Sequence, residues 1–213
     1  MRPGEKTLGF TAQNLSQAAE LLKQGGLVAV PTETVYGLAA SAEKEEAVET
    51  IFTVKKRNPG KPLSILVTGM KMAESYCREI PPVAYELAEK YWPGPLTMVL
   101  KDGGVVPSVV TAGGDTLGVR CPDHPLTLEL IEKAETPLAA PSANPSDLPS
   151  PKRAEEVWAY FDGEIEGIVD GGPCEVGVES TIVDLTGPAP KILREGGIPA
   201  QEILAWIKET TER

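Results

Sequence analysis

The chain has 213 residues, of which 20 are Lys or Arg and 31 are Asp or Glu, so its formal net charge is −11. This acidic balance argues against a protein that binds nucleic acid over an extended surface, because such surfaces are basic. No apolar run approaches the roughly 20 residues that span a bilayer, and the N-terminus lacks the apolar core of a signal peptide. We therefore expect a globular cytoplasmic protein with no membrane segment, folded as a single domain over residues 1–213 with its core at about 14–199.

Helices and short apolar strands alternate along the chain from Asn14 onward. We predict helices over residues 15–24, 47–57, 83–92, 126–134, 152–161 and 200–210. We predict strands over residues 27–30, 63–67, 96–100, 117–120, 137–140, 167–170, 180–185 and 191–194. Asn14 and Ser41 are expected to cap the first two helices, because both residue types accept N-cap hydrogen bonds. This alternation, with more strands toward the C-terminus, predicts an α/β fold built on a mixed sheet.

The cysteine and histidine content argues against a metal site made of protein ligands. Cys77, Cys121 and Cys174 are far apart with no CxxC spacing, and His124 is the only histidine. A zinc knuckle, a redox dithiol and a His-rich metal centre therefore lack support in the sequence.

The densest local feature is a cationic cluster formed by Lys55, Lys56, Arg57 and Lys61, with no acidic residue among them. On an acidic chain this grouping favours a focused anion site, because Arg supplies a two-pronged donor and Lys a point charge, and both suit phosphate. The alternative is that the cations complement the C-terminal dipole of the preceding helix. Both interpretations stay open from these residues alone.

Directly after the first predicted strand comes the sequence PTETVYGL (31–38). Thr32, Thr34 and Tyr36 carry hydroxyl groups and Glu33 carries a carboxylate. Open α/β sheets bind ligands just beyond the carboxyl ends of their strands, so this segment is a candidate binding loop. A plain turn stabilised by threonine side chains is the alternative.

Further polar residues stand at the ends of other predicted strands. The sequence PSAN places Ser142 and Asn144 two residues apart, so both face the same side if the chain is extended there. Arg120 and Arg194 each end a strand, and Ser180 begins one. No GxxxxGK[ST] or GxGxxG pattern occurs, and Ser142 does not lie in a GxSxG context. P-loop, Rossmann and serine-hydrolase sites are therefore not supported.

Taken in order, these segments resemble the YrdC/TsaC family of threonylcarbamoyl-AMP synthases. The resemblance runs from about Gly25 to Ile198 and rests on PTETVYGL, a K-x-R followed by KPL, WPGPLT, GVR-P-HP, PSAN, STIVD and LREG. It implies an open, twisted α/β sheet with flanking helices and a concave active-site face. It also implies L-threonylcarbamoyladenylate synthase activity, in which L-threonine, bicarbonate and ATP give threonylcarbamoyl-AMP and pyrophosphate for tRNA t6A37 modification.

The resemblance further implies roles for individual residues. Those expected to bind ATP are Arg57, Lys61, Thr116, Ser142, Ser150 and Arg194. Those expected to bind threonine are Thr34, Arg120, Ala140 and Ser180. The residues expected to take part in catalysis are Lys55, Arg57, Ser142 and Asn144. Anionic groups must meet in this reaction, so clustered cations and Mg²⁺ held mainly through the ATP phosphates are expected to screen them, with no protein nucleophile.

Some features of the chain leave alternatives open. Leu66 stands where some relatives carry a histidine close to threonine, so recognition of the threonine hydroxyl is not explained. The chain resembles the short form of the family, and proteins that transfer the threonylcarbamoyl group to tRNA are its expected partners. The alternatives are a protein that binds tRNA or double-stranded RNA weakly through the cationic cluster, and a carbamoyl-transferring relative of the hydrogenase-maturation type.

Overall fold

Helices and strands alternate through residues 6–211, the part of the chain that this computed structural model describes. The strands are β1 Leu8–Phe10, β2 Val28–Val30, β3 Gly37–Ser41, β4 Ser64–Leu66, β5 Cys77–Arg78, β6 Leu96–Asp102, β7 Thr116–Arg120, β8 Leu138–Ala139, β9 Gly167–Val169, β10 Thr181–Asp184 and β11 Lys191–Arg194. The helices are α1 Leu15–Lys23, α2 Glu45–Lys55, α3 Met70–Ala73, α4 Pro82–Tyr91, α5 Pro125–Ala134, α6 Ala154–Phe161 and α7 Ala200–Thr211.

The strands join into one sheet in the order β1-β9-β2-β3-β8-β4-β7-β6-β10-β11, and β5 pairs with β6 beside this path. Pairing is parallel between β1 and β9, β9 and β2, β4 and β7, and β6 and β10. The other pairs are antiparallel. Because β1 and β11 stand at opposite edges, the sheet is open. The predicted open mixed α/β sheet with flanking helices is confirmed.

The expected cap at Ser41 is wrong, and the expected cap at Asn14 is right in its position but forms no capping hydrogen bond. Ser41 ends β3 instead of capping α2, and its hydroxyl lies 3.0 Å from that of Thr136; α2 begins after Lys44. Asn14 occupies the N-cap position of α1, but its side-chain oxygen accepts a hydrogen bond from the backbone N–H of Thr11 at 2.7 Å. In both cases the polar side chain bonds to a group outside the helix that it was expected to cap.

The sequence pattern does not predict β1, β3, α3 or β5. Strand β3 reads GLAAS, and these residue types have low strand propensity, so its pairing with β2 on one side and β8 on the other determines its conformation. The remaining three elements have two to four residues each. Segments this short carry no detectable hydrophobic period.

Alternation along the strands divides their side chains between two faces of the sheet. One face, which includes Ala29 and Ile65, packs into a core shared with α2, α4, α6 and α7. The other face, which includes Val28, Ala39 and Leu138, packs into a second core with α1 and α5. Apolar runs such as LVAV in β2 are therefore buried on both sides, as strands covered by helices on both faces require.

The second face is covered over only part of the sheet. On β1, β9, β2, β3 and β8 it lies under α1 and α5, and we call this part the covered half-face. The pairing registers carry the same face across β4, β7, β6 and β10, and we call this part the open half-face. Its partly exposed residues include Ser64, Val99, Thr116, Gly118 and Ile182. The fold thus leaves a strip of sheet, which carries the hydroxyls of Ser64 and Thr116, available to a ligand.

No helix within residues 6–211 combines the length and the apolar character needed to cross a membrane.

Candidate active site

A cavity of about 180 Å³ lies over the open half-face. Segments that are distant in sequence form its walls: the loop before β3, Arg57 and the loop that leads from it to β4, the PSAN segment after β8, the start of β10 and the end of β11. The residues predicted for the two substrates that line it are Thr34, Arg57, Arg120, Ala140, Ser142, Ser180 and Arg194. The structure therefore brings together side chains that the sequence analysis assigned to both ATP and threonine.

The loop after β2 is a threonine-stabilised turn that also orients a side chain toward the cavity. The Thr32 hydroxyl donates its proton to the Val35 carbonyl at 2.6 Å, and it lies 2.9 Å from the Thr34 hydroxyl. Since Thr32 has only one hydroxyl proton, the proton between the two threonines belongs to Thr34. Thr34 consequently offers the cavity a hydrogen-bond acceptor, which suits a ligand amine or hydroxyl.

A buried ion pair stands beside this loop. The Arg120 guanidinium donates through Nη2 to the Glu33 carboxylate and through Nε to the Gly94 carbonyl. The other carboxylate oxygen of Glu33 accepts the Asp123 backbone N–H at 2.6 Å. Burial lowers the pKa of Arg120, and the Glu33 charge opposes that shift. Arg120 therefore reaches the cavity wall in a fixed orientation, with the rest of its guanidinium available for a carboxylate.

The PSAN segment is held in place by backbone pairing and by a buried lysine. Ser142 forms a β-bridge with Gly37, which joins PSAN to the PTETVYGL segment. Lys55 is only 2% exposed, and its ammonium donates to the carbonyls of Ser142 and Asn144. Burial, and after it the charge of Arg57, lowers the pKa of Lys55 to about 8, while Glu179 opposes the shift. Lys55 thus supports PSAN from behind the cavity wall.

Two arginines and one glutamate define the other end of the cavity. Arg57 donates to the Pro62 carbonyl through Nη2 at 3.1 Å, and burial lowers its pKa against the opposing effect of Glu179. Arg194 donates to the Ser180 carbonyl through Nε and Nη2 and forms an ion pair with Glu179 at 2.6 Å. This end carries a local excess of positive charge that suits an anion.

Five of the predicted residues do not line the cavity, and they are Lys55, Lys61, Thr116, Asn144 and Ser150. Lys61 is exposed, and its backbone carbonyl accepts Arg57 Nε at 3.4 Å. Thr116 lies on the open half-face at the opposite end of β7 from Arg120. Asn144 donates to the Leu148 carbonyl at 2.7 Å, and Ser150 donates to Glu179 at 3.1 Å.

Sequence reasoning missed several residues at the cavity. It assigned no site role to Ser64, Thr97 or Glu179, which line the cavity, and it placed Glu33 in a candidate binding loop without its partner Arg120. The alternation of β6 could have identified Thr97, because Leu96 and Met98 on either side of it belong to the apolar core. The pairing of Glu33 with Arg120 depends on a long-range contact that has no signal in a single sequence.

Among residues 6–211, no three His, Cys, Asp or Glu side chains are grouped so that they could hold a metal ion. The donor set at the cavity is instead dominated by arginines, hydroxyls and backbone groups. These residues do not fit a metal centre built by the protein alone.

The model of the Sua5/YciO/YrdC family, described as "Telomere recombination", matches residues 20–196. The chain is 51% identical over 192 residues to the threonylcarbamoyl-AMP synthase of Pyrococcus abyssi, covering 90% of this chain and 56% of that protein. It is 45% identical over 195 residues to the threonylcarbamoyl-AMP synthase of Bacillus subtilis, covering 91% of this chain and 56% of that protein. The chain thus spans about half the length of these relatives.

A solved structure gives the same result for the fold. The crystal structure of Pyrococcus abyssi Sua5 complexed with L-threonine superposes with a TM-score of 0.92 at 47% identity, covering 95% of this chain and 61% of that chain. The predicted family is therefore confirmed by both sequence and structure. The chain belongs to the Sua5/YciO/YrdC family.

Proposed function

We propose that this chain catalyses the formation of L-threonylcarbamoyladenylate and pyrophosphate from L-threonine, bicarbonate and ATP, for tRNA t6A37 modification. The observation that carries the proposal is the cavity itself. One end of the cavity presents the Thr34 hydroxyl as a hydrogen-bond acceptor and the buried Arg120 as a cation. The other end presents Arg57 and Arg194. The names of the Pyrococcus abyssi and Bacillus subtilis relatives support the same reaction.

The end near β2 suits the amino acid. Thr34 offers an acceptor for the amine of threonine, and Arg120 offers a cation for its carboxylate. The hydroxyls of Ser180 and Thr97, 2.8 Å apart, supply a polar wall on β10 and β6. Leu66 supplies apolar surface on β4, so in this chain the threonine hydroxyl is assigned to the Ser180 side of the cavity and the methyl group to the Leu66 side. The solved complex of the Pyrococcus abyssi protein with L-threonine supports an amino-acid site in this fold.

The end near α2 suits the phosphates of ATP. Arg57, Arg194 and Ser142 face the cavity there, while Lys55 and Asn144 support the PSAN segment behind it. A cavity of about 180 Å³ is smaller than the usual range for nucleotide-sized ligands. The nucleoside is therefore assigned to the uncovered sheet beyond the cavity, in the direction of Thr116. Lys61 and Ser150 remain candidates at the rim.

The chemistry that this arrangement supports is positioning and charge screening. The threonine amine attacks the carbon of bicarbonate, and loss of water leaves an N-carboxylate. An oxygen of that carboxylate then attacks the α-phosphorus of ATP, and pyrophosphate leaves. Both steps bring anions together, so fixed guanidinium groups lower the barrier without a protein nucleophile. Mg²⁺ would reach the site on the ATP phosphates, as is usual for this ion, and would neutralise their charge.

The setting of this activity is part of the same proposal. Proteins that transfer the threonylcarbamoyl group to tRNA would consume the product, and a cytoplasmic location would give access to them. We assign the activity to one domain over residues 1–213, because the described sheet runs without interruption from β1 to β11.

Pyrophosphate release from ATP tests the proposal. The chain should release pyrophosphate only when L-threonine and bicarbonate are both present, and Ser142→Ala should lose this activity while keeping the unfolding temperature of the native chain. Release that does not depend on threonine would refute the synthase function. Tight, salt-sensitive RNA binding without any turnover would instead support the RNA-binding alternative.

A further inference from the structure

The Glu179 carboxylate occupies the phosphate end of the cavity between two residues assigned to ATP. One oxygen accepts Arg194 Nη1 at 2.6 Å, and the other accepts the Ser150 hydroxyl at 3.1 Å. Its charge also acts on Lys55 and Arg57, where it opposes the lowering of both pKa values by burial. Glu179 is therefore an anion of the protein placed among the cations that a bound phosphate would contact.

The backbone of Glu179 is fixed, whereas its side chain has room to move. The Glu179 carbonyl accepts the Gly197 N–H at 2.9 Å, and a Cβ atom at Gly196 would lie only 2.1 Å from that carbonyl oxygen. Only glycine permits this close approach of the turn before α7. The Glu179 side chain, in contrast, is 38% exposed. A change in its contacts therefore requires only rotation of the side chain.

Arg194 keeps its position when Glu179 rotates away. Its Nε and Nη2 donate to the Ser180 carbonyl at 3.1 and 2.9 Å, and only Nη1 is bonded to Glu179. Loss of the Glu179 contact frees one donor of an arginine whose other donors stay anchored. The released Nη1 is a preoriented donor for a phosphate oxygen.

We propose that Glu179 is an internal anion that competes with bound phosphate for Arg194 and Ser150 and is displaced by the triphosphate of ATP. The inference rests on the proposed ATP site. A small anion gains little by replacing one carboxylate on Arg194, whereas a triphosphate also contacts Arg57 and Ser142. Glu179 thereby keeps small anions, including the co-substrate bicarbonate, out of the phosphate end at concentrations where ATP binds.

Isothermal titration of native and Glu179→Gln protein with inorganic phosphate and with ATP tests this inference. Glutamine keeps the shape and removes the charge, so the Kd for each ligand should fall by about fivefold, the range expected for loss of one half-exposed ion pair. The inhibition constant of inorganic phosphate as a competitor of ATP should fall by the same factor. Glu175→Gln is the matched control, because it removes the same charge from an exposed position in the same loop and should leave both Kd values unchanged.

Unchanged or weaker binding of both ligands to Glu179→Gln would overturn the inference, because it would make Glu179 neutral or favourable for phosphate binding. Unfolding temperatures without ligand separate this effect from damage to the fold, since a purely structural role could not tighten binding. If the native chain forms pyrophosphate but Glu179→Gln leaves the Kd values unchanged, only the role of Glu179 fails. If the native chain forms no pyrophosphate with all substrates present, the proposed function fails, and this inference fails with it.

Discussion

The covered and open half-faces belong to the same face of one sheet, yet they differ in composition and in role. On the covered half-face, Val28, Ala39 and Leu138 are fully buried under α1 and α5. On the open half-face, Ser64 and Thr116 lie on the same side of the sheet as these three residues, but they remain partly exposed. The comparison teaches that the site arises where two helices stop covering the sheet. Strand β7 shows the expected alternation, because its Leu117 and Val119 pack into the core while Thr116 and Gly118 face the open side.

The comparison also explains why charged groups cluster at the boundary between the two half-faces. Arg120 ends β7 next to Leu66, which belongs to the core of the covered half-face. The Arg120 side chain is 8% exposed, and its guanidinium needs Glu33 as a counter-charge. Burial makes such a pair costly to break and fixes its geometry. The boundary therefore supplies rigid charged groups, and the exposed sheet beyond it supplies space.

The largest expected effect belongs to the open half-face. Arg57→Ala removes a cation from the phosphate end, and pyrophosphate formation should fall by about 100- to 1000-fold, as for loss of other transition-state donors. Steady-state kinetics measure the change, and the free energy of unfolding should stay close to that of the native chain. Lys133→Ala, at a partly exposed cation on α5 over the covered half-face, is the control. Near-normal turnover of Arg57→Ala would show that the phosphate end is misplaced.

The covered half-face should respond in the opposite way. Leu22 lies on α1 and is fully buried in the core between this helix and the covered half-face. Leu22→Ala should therefore lower the free energy of unfolding by about 3 kcal/mol. Turnover per folded molecule should change little. Urea denaturation and kinetics at low temperature measure the two effects. Leu204→Ala, at a leucine that is 43% exposed, should cost far less. A loss of turnover without loss of stability in Leu22→Ala would contradict the division between the half-faces.

Glu33→Gln tests the boundary and should affect both properties. The substitution leaves Arg120 buried without its counter-charge, so stability should fall by about 3 kcal/mol, and the KM for threonine should rise because the guanidinium is no longer oriented. Chemical denaturation and kinetics with varied threonine check both results. Glu135→Gln, at a mostly exposed partner of Lys23, provides the control and should change stability much less. An unchanged KM would separate Arg120 from threonine binding.

The smallest expected effect is a pH dependence of ATP binding. The pKa of Lys55 is lowered to about 8 by burial, so its ammonium loses a proton as the pH rises through that value. The neutral amine can still donate to the Ser142 and Asn144 carbonyls, but one positive charge near the phosphates disappears. ATP should therefore bind several-fold more weakly at about pH 9 than at about pH 7. Titration calorimetry with ATP alone avoids any contribution from the amine of threonine.

Lys55→Met supplies the control for this pH dependence. Without a titrating group at this position, its ATP affinity should be lower than that of the native chain at about pH 7 and nearly constant over the same pH range. A pH dependence in Lys55→Met as steep as that of the native chain would assign the effect to another group.

Much of the fold follows from local patterns, but the boundaries of the site do not. The apolar run of β2 and the alternation of helices and strands indicate an α/β sheet, because burial dictates these patterns directly. Strand β3 escapes prediction, since pairing on both sides overrides the low strand propensity of its GLAAS sequence.

The candidate site shows the same division. Family motifs identify Thr34, Arg57 and Ser142, which meet in one cavity. The burial of Lys55 could have been predicted from the sequence, because Lys55 lies seven residues after Val48 and therefore on the apolar side of α2. The ion pair between Glu179 and Arg194 joins the loop before β10 to the end of β11, and no spacing within a single sequence predicts such a contact.

A crystal structure of this chain with L-threonine and a non-hydrolysable ATP analogue would test most directly whether the open half-face is where the two substrates meet. The threonine carboxylate should contact Arg120 and its amine Thr34, with the phosphates on Arg57 and Arg194 and the nucleoside over the sheet toward Thr116. Glu179 should have turned away from Arg194. Ligands bound elsewhere, with the cavity unchanged, would contradict the assignment of the open half-face as the active site.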